Sequence, residues 1–233
     1  MTKISEEIKV IAFDADDTLW VNETYFRDAE HQFAKLLAKY ETQNKIDQEL
    51  FKKEIDNLPL YGYGIKGFVL SMVESALELS NYQISQKTIE SILNIGKEML
   101  EKPIELLDGI EDVLEKLQGK YKLIVATKGD LLDQERKLEK SNLLQYFHHV
   151  EVMSDKKEKD YEKLIRHLDI KPSEFLMIGN SLKSDVLPLL AIGASAIHVP
   201  FHTTWAHEEV NDKEKDNVAY KTLTNIKEII SFI

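Results

Sequence analysis

The chain contains no cysteine among its 233 residues, which excludes disulfides, thiol nucleophiles and thiolate metal sites in one step. Basic residues are also in short supply: 30 Lys and Arg stand against 41 Asp and Glu, for a formal net charge of −11, and no long basic run offsets this. An extended phosphate backbone is therefore a poor partner, and no nucleic-acid role is expected. A small anionic substrate is not excluded, because a local cation and one lysine override the global field. Long apolar runs are missing as well. The longest, Val186 to Ala196, is interrupted by Pro188 and Gly193 and falls short of the roughly 20 residues a membrane helix needs. Met1 to Val10 has no signal-peptide apolar stretch, so the expectation is a soluble, cytoplasmic protein that does not associate with membranes.

What is present is an ordinary globular composition, 43% apolar and 30% charged, in a chain long enough to bury a full core. One stretch organises it. In Lys9 to Trp20, KVIAFDADDTLW, the β-branched and aromatic run Val10-Ile11-Ala12-Phe13 reads as a strand buried on both faces. Asp14, Asp16 and Asp17 follow where that strand leaves its sheet, at the carboxyl edge where open α/β sheets bind ligands. Like charges about 4 Å apart repel by about 4 kcal/mol at an effective dielectric near 20, so a cation is expected among them, a hard divalent metal first of all.

Behind Trp20 only helical periodicity is found. Phe26 to Tyr40, Leu50 to Leu58, Phe68 to Leu79 and Ser85 to Leu100 predict four helices, with a mobile loop over Tyr61 to Gly67. From Pro103 strands and helices alternate. Asp108 is expected to cap a helix reaching Leu117. Strands are predicted at Leu123–Ala126, Val150–Val152, Phe175–Ile178 and Ala196–Val199, with helices at Leu131–Lys140, Lys159–Leu168 and Ser184–Ala191, and a short amphipathic helix over Thr224–Phe232. The expected fold is α/β, a doubly wound parallel sheet formed by residues 1–20 and 103–233, with an all-helical insert over 21–102.

Four clusters fall just past strand ends: Asp14 with Asp16, Thr127, the lysines Lys156 and Lys157, and Gly179-Asn180-Ser181 with Asp185. Singly each has a plain structural reading, as a helix cap, a solvated turn or a first-turn acid. Together they describe phosphoryl transfer. A carboxylate attacks phosphorus without deprotonation, a second carboxyl protonates the leaving oxygen and later activates water, and a dication with a lysine offsets the gathered negative charge.

Asp14-Ala15-Asp16-Asp17-Thr18-Leu19 resembles the first motif, D-x-D-x-T-L, of the haloacid dehalogenase superfamily in its magnesium-dependent phosphatase branch. The resemblance implies that Asp14 is the nucleophile and Asp16 the general acid and base. It implies phosphate binding by Thr127, with Lys128 beside it, and by Lys156, preferred to Lys157 for its spacing from the helix beginning near Tyr161. It implies a Mg²⁺ held by Asp14, Asp16 and Asp185, with Asn180 standing where the fourth motif commonly has an aspartate. An amide oxygen coordinates magnesium directly or through water, with one negative charge fewer. Asp17 has no motif role and reads as a local turn or surface acid.

The implied function is hydrolysis of a small phosphorylated metabolite. The alternatives are a phosphomutase or another transferase of the same superfamily, or a non-catalytic member. The resemblance ties the dehalogenase branch to chains without a second aspartate, and receiver domains carry their acidic pair and phosphorylated aspartate on different strands. The helical insert resembles the superfamily's cap domain, which implies leaving-group contacts from Tyr25, Tyr61, Tyr63 or Lys66. The segment Pro200 to Glu208, with Trp205, His202 and His207, is expected to run near the active edge as a wall or supporting element.

Overall fold

The structure, a computed structural model, describes residues 7–211 and 220–233. Met1 to Glu6, part of the segment read above for a signal peptide, lie outside them. In chain order the helices are α1 Glu23–Leu37, α2 Gln43–Tyr61, α3 Ile65–Leu79, α4 Gln86–Glu101, α5 Ile110–Leu117, α6 Leu131–Lys140, α7 Glu158–His167 and α8 Leu187–Ala191. The strands are β1 Val10–Phe13, β2 Lys122–Lys128, β3 His149–Met153, β4 Phe175–Gly179, β5 Ser195–His198 and β6 Lys221–Thr222. Among the described residues no helix is long and apolar enough to cross a membrane. The chain divides into two compact units.

The first unit comprises Met1–Glu23, Ile104–Lys128 and Glu135–Ile233. Its six strands form one parallel sheet in the order β3-β2-β1-β4-β5-β6. Alternate residues of the central strands enter two cores. Ile11, Phe13, Val125, Leu176 and Ile178 pack with α5, and Val10, Ala12, Ile124, Ala126 and Met177 pack with α7 and α8. Each Val, Leu, Ile, Phe or Met among these contributes about 1.5–3 kcal/mol when fully buried, which is why these strands read as unbroken apolar runs. From β1 the chain moves outward to β2 and β3, then returns to β4 on the other side of β1. That reversal opens a crevice at the carboxyl ends of β1 and β4.

Four details differ from the sequence reading. The cap residue of α5 is Gly109, at φ 84°, and Asp108 instead meets Lys227 Nζ at 3.0 Å, because a left-handed residue is needed where the chain enters the helix. The helix expected over Ser184–Ala191 is a π turn, Leu182–Val186, followed by α8. Pro188 has no N–H for the Ser184 carbonyl, which accepts instead from the Tyr161 hydroxyl at 2.9 Å. The last helix is a 3₁₀ segment, Ile226–Ser231, whose buried Ile226 and Ile229 stand three residues apart, the eclipsed spacing of that geometry. Strand β6 escaped notice since both of its residues are exposed.

The second unit comprises Thr24–Pro103 and Gly129–Gln134. Its helices α1 to α4 share one apolar core that includes Phe33, Leu37, Ile46, Leu50, Phe68, Met72, Ile92 and Met99. Ser85 Oγ accepts from Thr88 N at 3.1 Å and so starts α4. The loop expected over Tyr61 to Gly67 is only Gly62–Gly64. Gly67 already lies in α3, and a Cβ there would sit 2.9 Å from the Gly62 carbonyl oxygen, so this glycine serves close packing and not mobility.

Candidate active site

Strand register gathers the first, second and fourth clusters before any side chain is considered. Phe13 is level with Val125 on one side and Ile178 on the other, and Asp14 N–H donates to the Ile178 carbonyl at 2.9 Å. Lys128 is level with Met153, so the turn carrying Lys156 leaves the same edge.

There Lys156 binds two carboxylates. Its Nζ lies 2.5 Å from Asp14 Oδ1 and 2.7 Å from Asp185 Oδ1, and all three residues are buried. Lys157, by contrast, is exposed and pairs with Asp155. Burial raises the Asp14 carboxyl above its usual range; Lys156 opposes this and Asp185 adds to it. Burial alone would lower the Lys156 ammonium, yet Asp14 and Asp185 hold it well above its ordinary value. Asp185 is fixed from behind as well, since Ser181 N donates to its Oδ2 at 3.0 Å. Gly179 makes room for it: a Cβ there would lie 2.3 Å from Asp185 Cγ.

The second oxygen of Asp14 faces Thr18, whose hydroxyl lies 3.1 Å from Asp14 Oδ2 and 3.3 Å from Asn180 Oδ1. One hydroxyl proton serves one acceptor at a time, so Asp14 and Asn180 present oxygens toward a shared point. Among the described residues no three His, Asp or Glu side chains alone form a metal cluster. The donor set nevertheless fits a hard dication: Asp14, Asp185 and Asn180 offer only oxygen, and two buried carboxylates share one ammonium.

Asp16 is held by two donors of its own. Its Oδ1 accepts from Trp20 Nε1 at 2.7 Å and from Lys137 Nζ at 2.9 Å, and Lys137 also donates to Asn22 Oδ1 at 2.8 Å. Asp17 is not a surface acid. It is buried at φ 61° and accepts from Asn22 N and Glu23 N, so it closes the turn that leads into α1. Burial, opposed by these bonds, pushes its carboxyl from 3.8 up to about 7. Thr127 is buried beside the centre, with its hydroxyl 3.2 Å from the Lys128 carbonyl. Lys128 Nζ is engaged by Glu208 Oε1 at 2.6 Å and Ser184 Oγ at 2.8 Å.

In the helical unit, Tyr61 donates to Glu74 Oε1 at 2.8 Å, Lys66 pairs with Asp130 at 2.8 Å, and the Lys102 ammonium lies over the Tyr25 ring. Tyr63 is half-buried. In the loop after β5, the histidines lie tilted against neighbouring rings, His202 against Phe201 and His207 against Trp205. Glu208 of that loop reaches the site's frame. Burial would raise its carboxyl, but Lys128 and the Ser181 and Ser184 hydroxyls outweigh burial and hold it at about 2. The sequence marks the segment ending at Glu208 as a wall or supporting element without singling out that residue, and Lys137 carries no sequence signal because it matches no motif spacing.

The parallel sheet with carboxylates at its carboxyl edge defines a doubly wound α/β protein, and comparison with known proteins identifies the family. The family model for haloacid dehalogenase-like hydrolases matches residues 8–193, and the chain belongs to that family. A haloacid dehalogenase-like family hydrolase from Xanthomonas campestris is 38% identical, with 91% of each chain covered and a TM-score of 0.81. The HAD-hydrolase YfnB from Bacillus subtilis, solved with magnesium bound, is 16% identical over 97% of this chain and 98% of its own, with a TM-score of 0.67. A 2-haloacid dehalogenase from Pseudomonas syringae is 19% identical over 97% of each chain, with a TM-score of 0.62. Phosphatases and dehalogenases thus share the fold. No curated protein matches the chain.

Proposed function

We propose that this hydrolase is a magnesium-dependent phosphatase that cleaves a small phosphomonoester through an aspartyl-phosphate on Asp14. The observation that carries the reading is the pair of buried carboxylates, Asp14 and Asp185, held on the single ammonium of Lys156. A substrate dianion needs more positive charge than that ammonium supplies, and the oxygen donors around it suit magnesium. Asp14, Asp185 and Asn180 would hold the ion by their side chains, with Asp16, whose carboxylate accepts from Trp20 and Lys137, following Asp14 on the same strand end. When bound, magnesium supplies charge that keeps Asp14 ionised and offsets the phosphoryl oxygens.

The Asp14 carboxylate attacks phosphorus, the ester P–O bond breaks, and Asp16 gives its proton to the departing oxygen. Water, deprotonated by Asp16, then attacks the same phosphorus and releases inorganic phosphate and the free Asp14 carboxylate. Such acid-base help is worth roughly 10² to 10⁴ in rate. Lys156 and Thr127 hold the phosphoryl oxygens. The presence of Asp16 favours this over dehalogenation, given the resemblance described above. The test is a panel of phosphomonoesters and 2-haloacids assayed with magnesium and with a chelator. Magnesium-dependent phosphate release supports the reading; metal-independent halide release contradicts it.

A further inference from the structure

Glu208 lies outside every element that carries the reacting groups. It ends a short 3₁₀ turn, Ala206–Glu208, in the loop after β5, and Lys183 Nζ pins that turn through the His207 carbonyl at 2.6 Å. Its side chain is only 12% exposed. Oε2 accepts both the Ser181 and the Ser184 hydroxyls, each at 2.5 Å, while Oε1 meets Lys128 Nζ at 2.6 Å.

Each serine hydroxyl has one proton, and both protons go to Glu208. The remaining lone pairs are thereby aimed. Ser181 Oγ accepts from Ser184 N at 3.0 Å, and Ser184 Oγ accepts from Lys128 Nζ at 2.8 Å. Ser181 N in turn holds Asp185 Oδ2 at 3.0 Å. These residues belong to, or cap, the π turn Leu182–Val186, which Pro188 deprives of a regular helical hydrogen bond. Within the turn Asp185 N donates to the Ser181 carbonyl at 2.8 Å, and Glu208 and Lys128 hold Ser184 from outside.

Charge matters equally. Lys128 sits against Ser184, next in sequence to Asp185, and Glu208 sets a carboxylate against its ammonium beside a site meant for a dication. We propose that Glu208 is a positioning residue for Asp185: it aims the Ser181 and Ser184 hydroxyls and neutralises Lys128, and so keeps the π turn in the form that accepts magnesium. This rests on the phosphatase reading above.

The test is calorimetric titration of the substrate-free, metal-free protein with Mg²⁺, for the wild type, Glu208→Gln and the double variant Glu208→Gln/Lys128→Met, with folding checked by circular dichroism. Glu208→Gln should weaken Mg²⁺ binding by roughly tenfold or more, the size expected for an outer partner of a ligand. Removing the Lys128 ammonium as well restores the local charge balance but not the hydroxyl acceptor, so the double variant should recover part of that loss, which simple loosening of the loop would not. If Glu208→Gln does not fold, Glu208→Asp carries the test, since it keeps the charge but reaches fewer of the three partners and should bind several-fold more weakly, by the same outer-partner argument. A folded Gln or Asp variant within about twofold of the wild type, well inside the expected effect, overturns the proposal and leaves the phosphatase reading intact. A wild-type protein that binds no Mg²⁺ overturns the phosphatase reading itself, and this proposal with it.

Discussion

Asp14, at the tip of the first strand, and Asp185, in the π turn after the fourth, hold the same ammonium from two sides, at 2.5 and 2.7 Å from Lys156 Nζ. Removing that ammonium leaves two buried acids facing each other. Lys156→Met should therefore destabilise the metal-free protein by about 3–5 kcal/mol, the usual cost of breaking a buried ion pair. Added magnesium should return part of it by binding the folded form. Urea denaturation with and without Mg²⁺ reads both effects, and an unchanged midpoint in the metal-free variant would contradict the arrangement.

Gly179 is where space decides. A methyl group there would overlap Asp185 Cγ at 2.3 Å, with Asp185 fixed by Ser181 N and Lys156. Gly179→Ala should cost about 1–3 kcal/mol in stability and displace Asp185, with most turnover lost. Wild-type activity in the alanine variant, measured on an aryl phosphate, would show that Asp185 can sit elsewhere.

Asp16 is aimed by Trp20 and Lys137. Because a misplacement of about 1 Å can cost about 10²-fold in rate, Lys137→Met should lower kcat by roughly ten- to a hundredfold. Inhibition by inorganic phosphate should change little, since Lys137 bonds Asp16 and Asn22. A kcat within twofold of the wild type would remove the positioning role.

Asp17 makes stability depend on pH. Its carboxyl is raised from 3.8 to about 7 in the folded protein, so the folded state keeps a proton that the unfolded chain loses. Stability from this group is fully present below pH 3.8 and declines as pH rises through about 7, by an amount on the order of 4 kcal/mol. Asn tolerates the left-handed backbone at this position and does not titrate. Metal-free Asp17→Asn should thus be more stable than the wild type at pH 8 and close to it at pH 4, and a difference equal at both would refute the assignment.

Much of this was legible in the chain because the signals are local. The runs Val10–Phe13 and Leu123–Ala126 carry their own burial, and Asp14, Asp16 and Asp185 stand at fixed offsets from strand ends. What was not legible depends on how the chain folds back. Asp17 reads as a local turn or surface acid, and the turn is there, but its burial under the Asn22 and Glu23 N–H groups is not written in the sequence. Lys128 is expected beside the phosphate, and only the fold brings Glu208 of the loop after β5 to it. The π turn is hidden for a related reason: Pro188 signals a missing bond, but only the fold reveals that the Tyr161 hydroxyl takes the carbonyl left over.

The central claim is that Asp14 becomes the phosphorylated group. It is tested most directly by quenching a turning-over mixture of enzyme, magnesium and an aryl phosphate with hydroxylamine, which converts an acyl phosphate to a hydroxamate, and sequencing the peptides by mass spectrometry. The account predicts a substrate- and magnesium-dependent hydroxamate on Asp14 and none in Asp14→Asn, which should also be inactive. Turnover with Asp14 unmodified, or with the label on another residue, would contradict it.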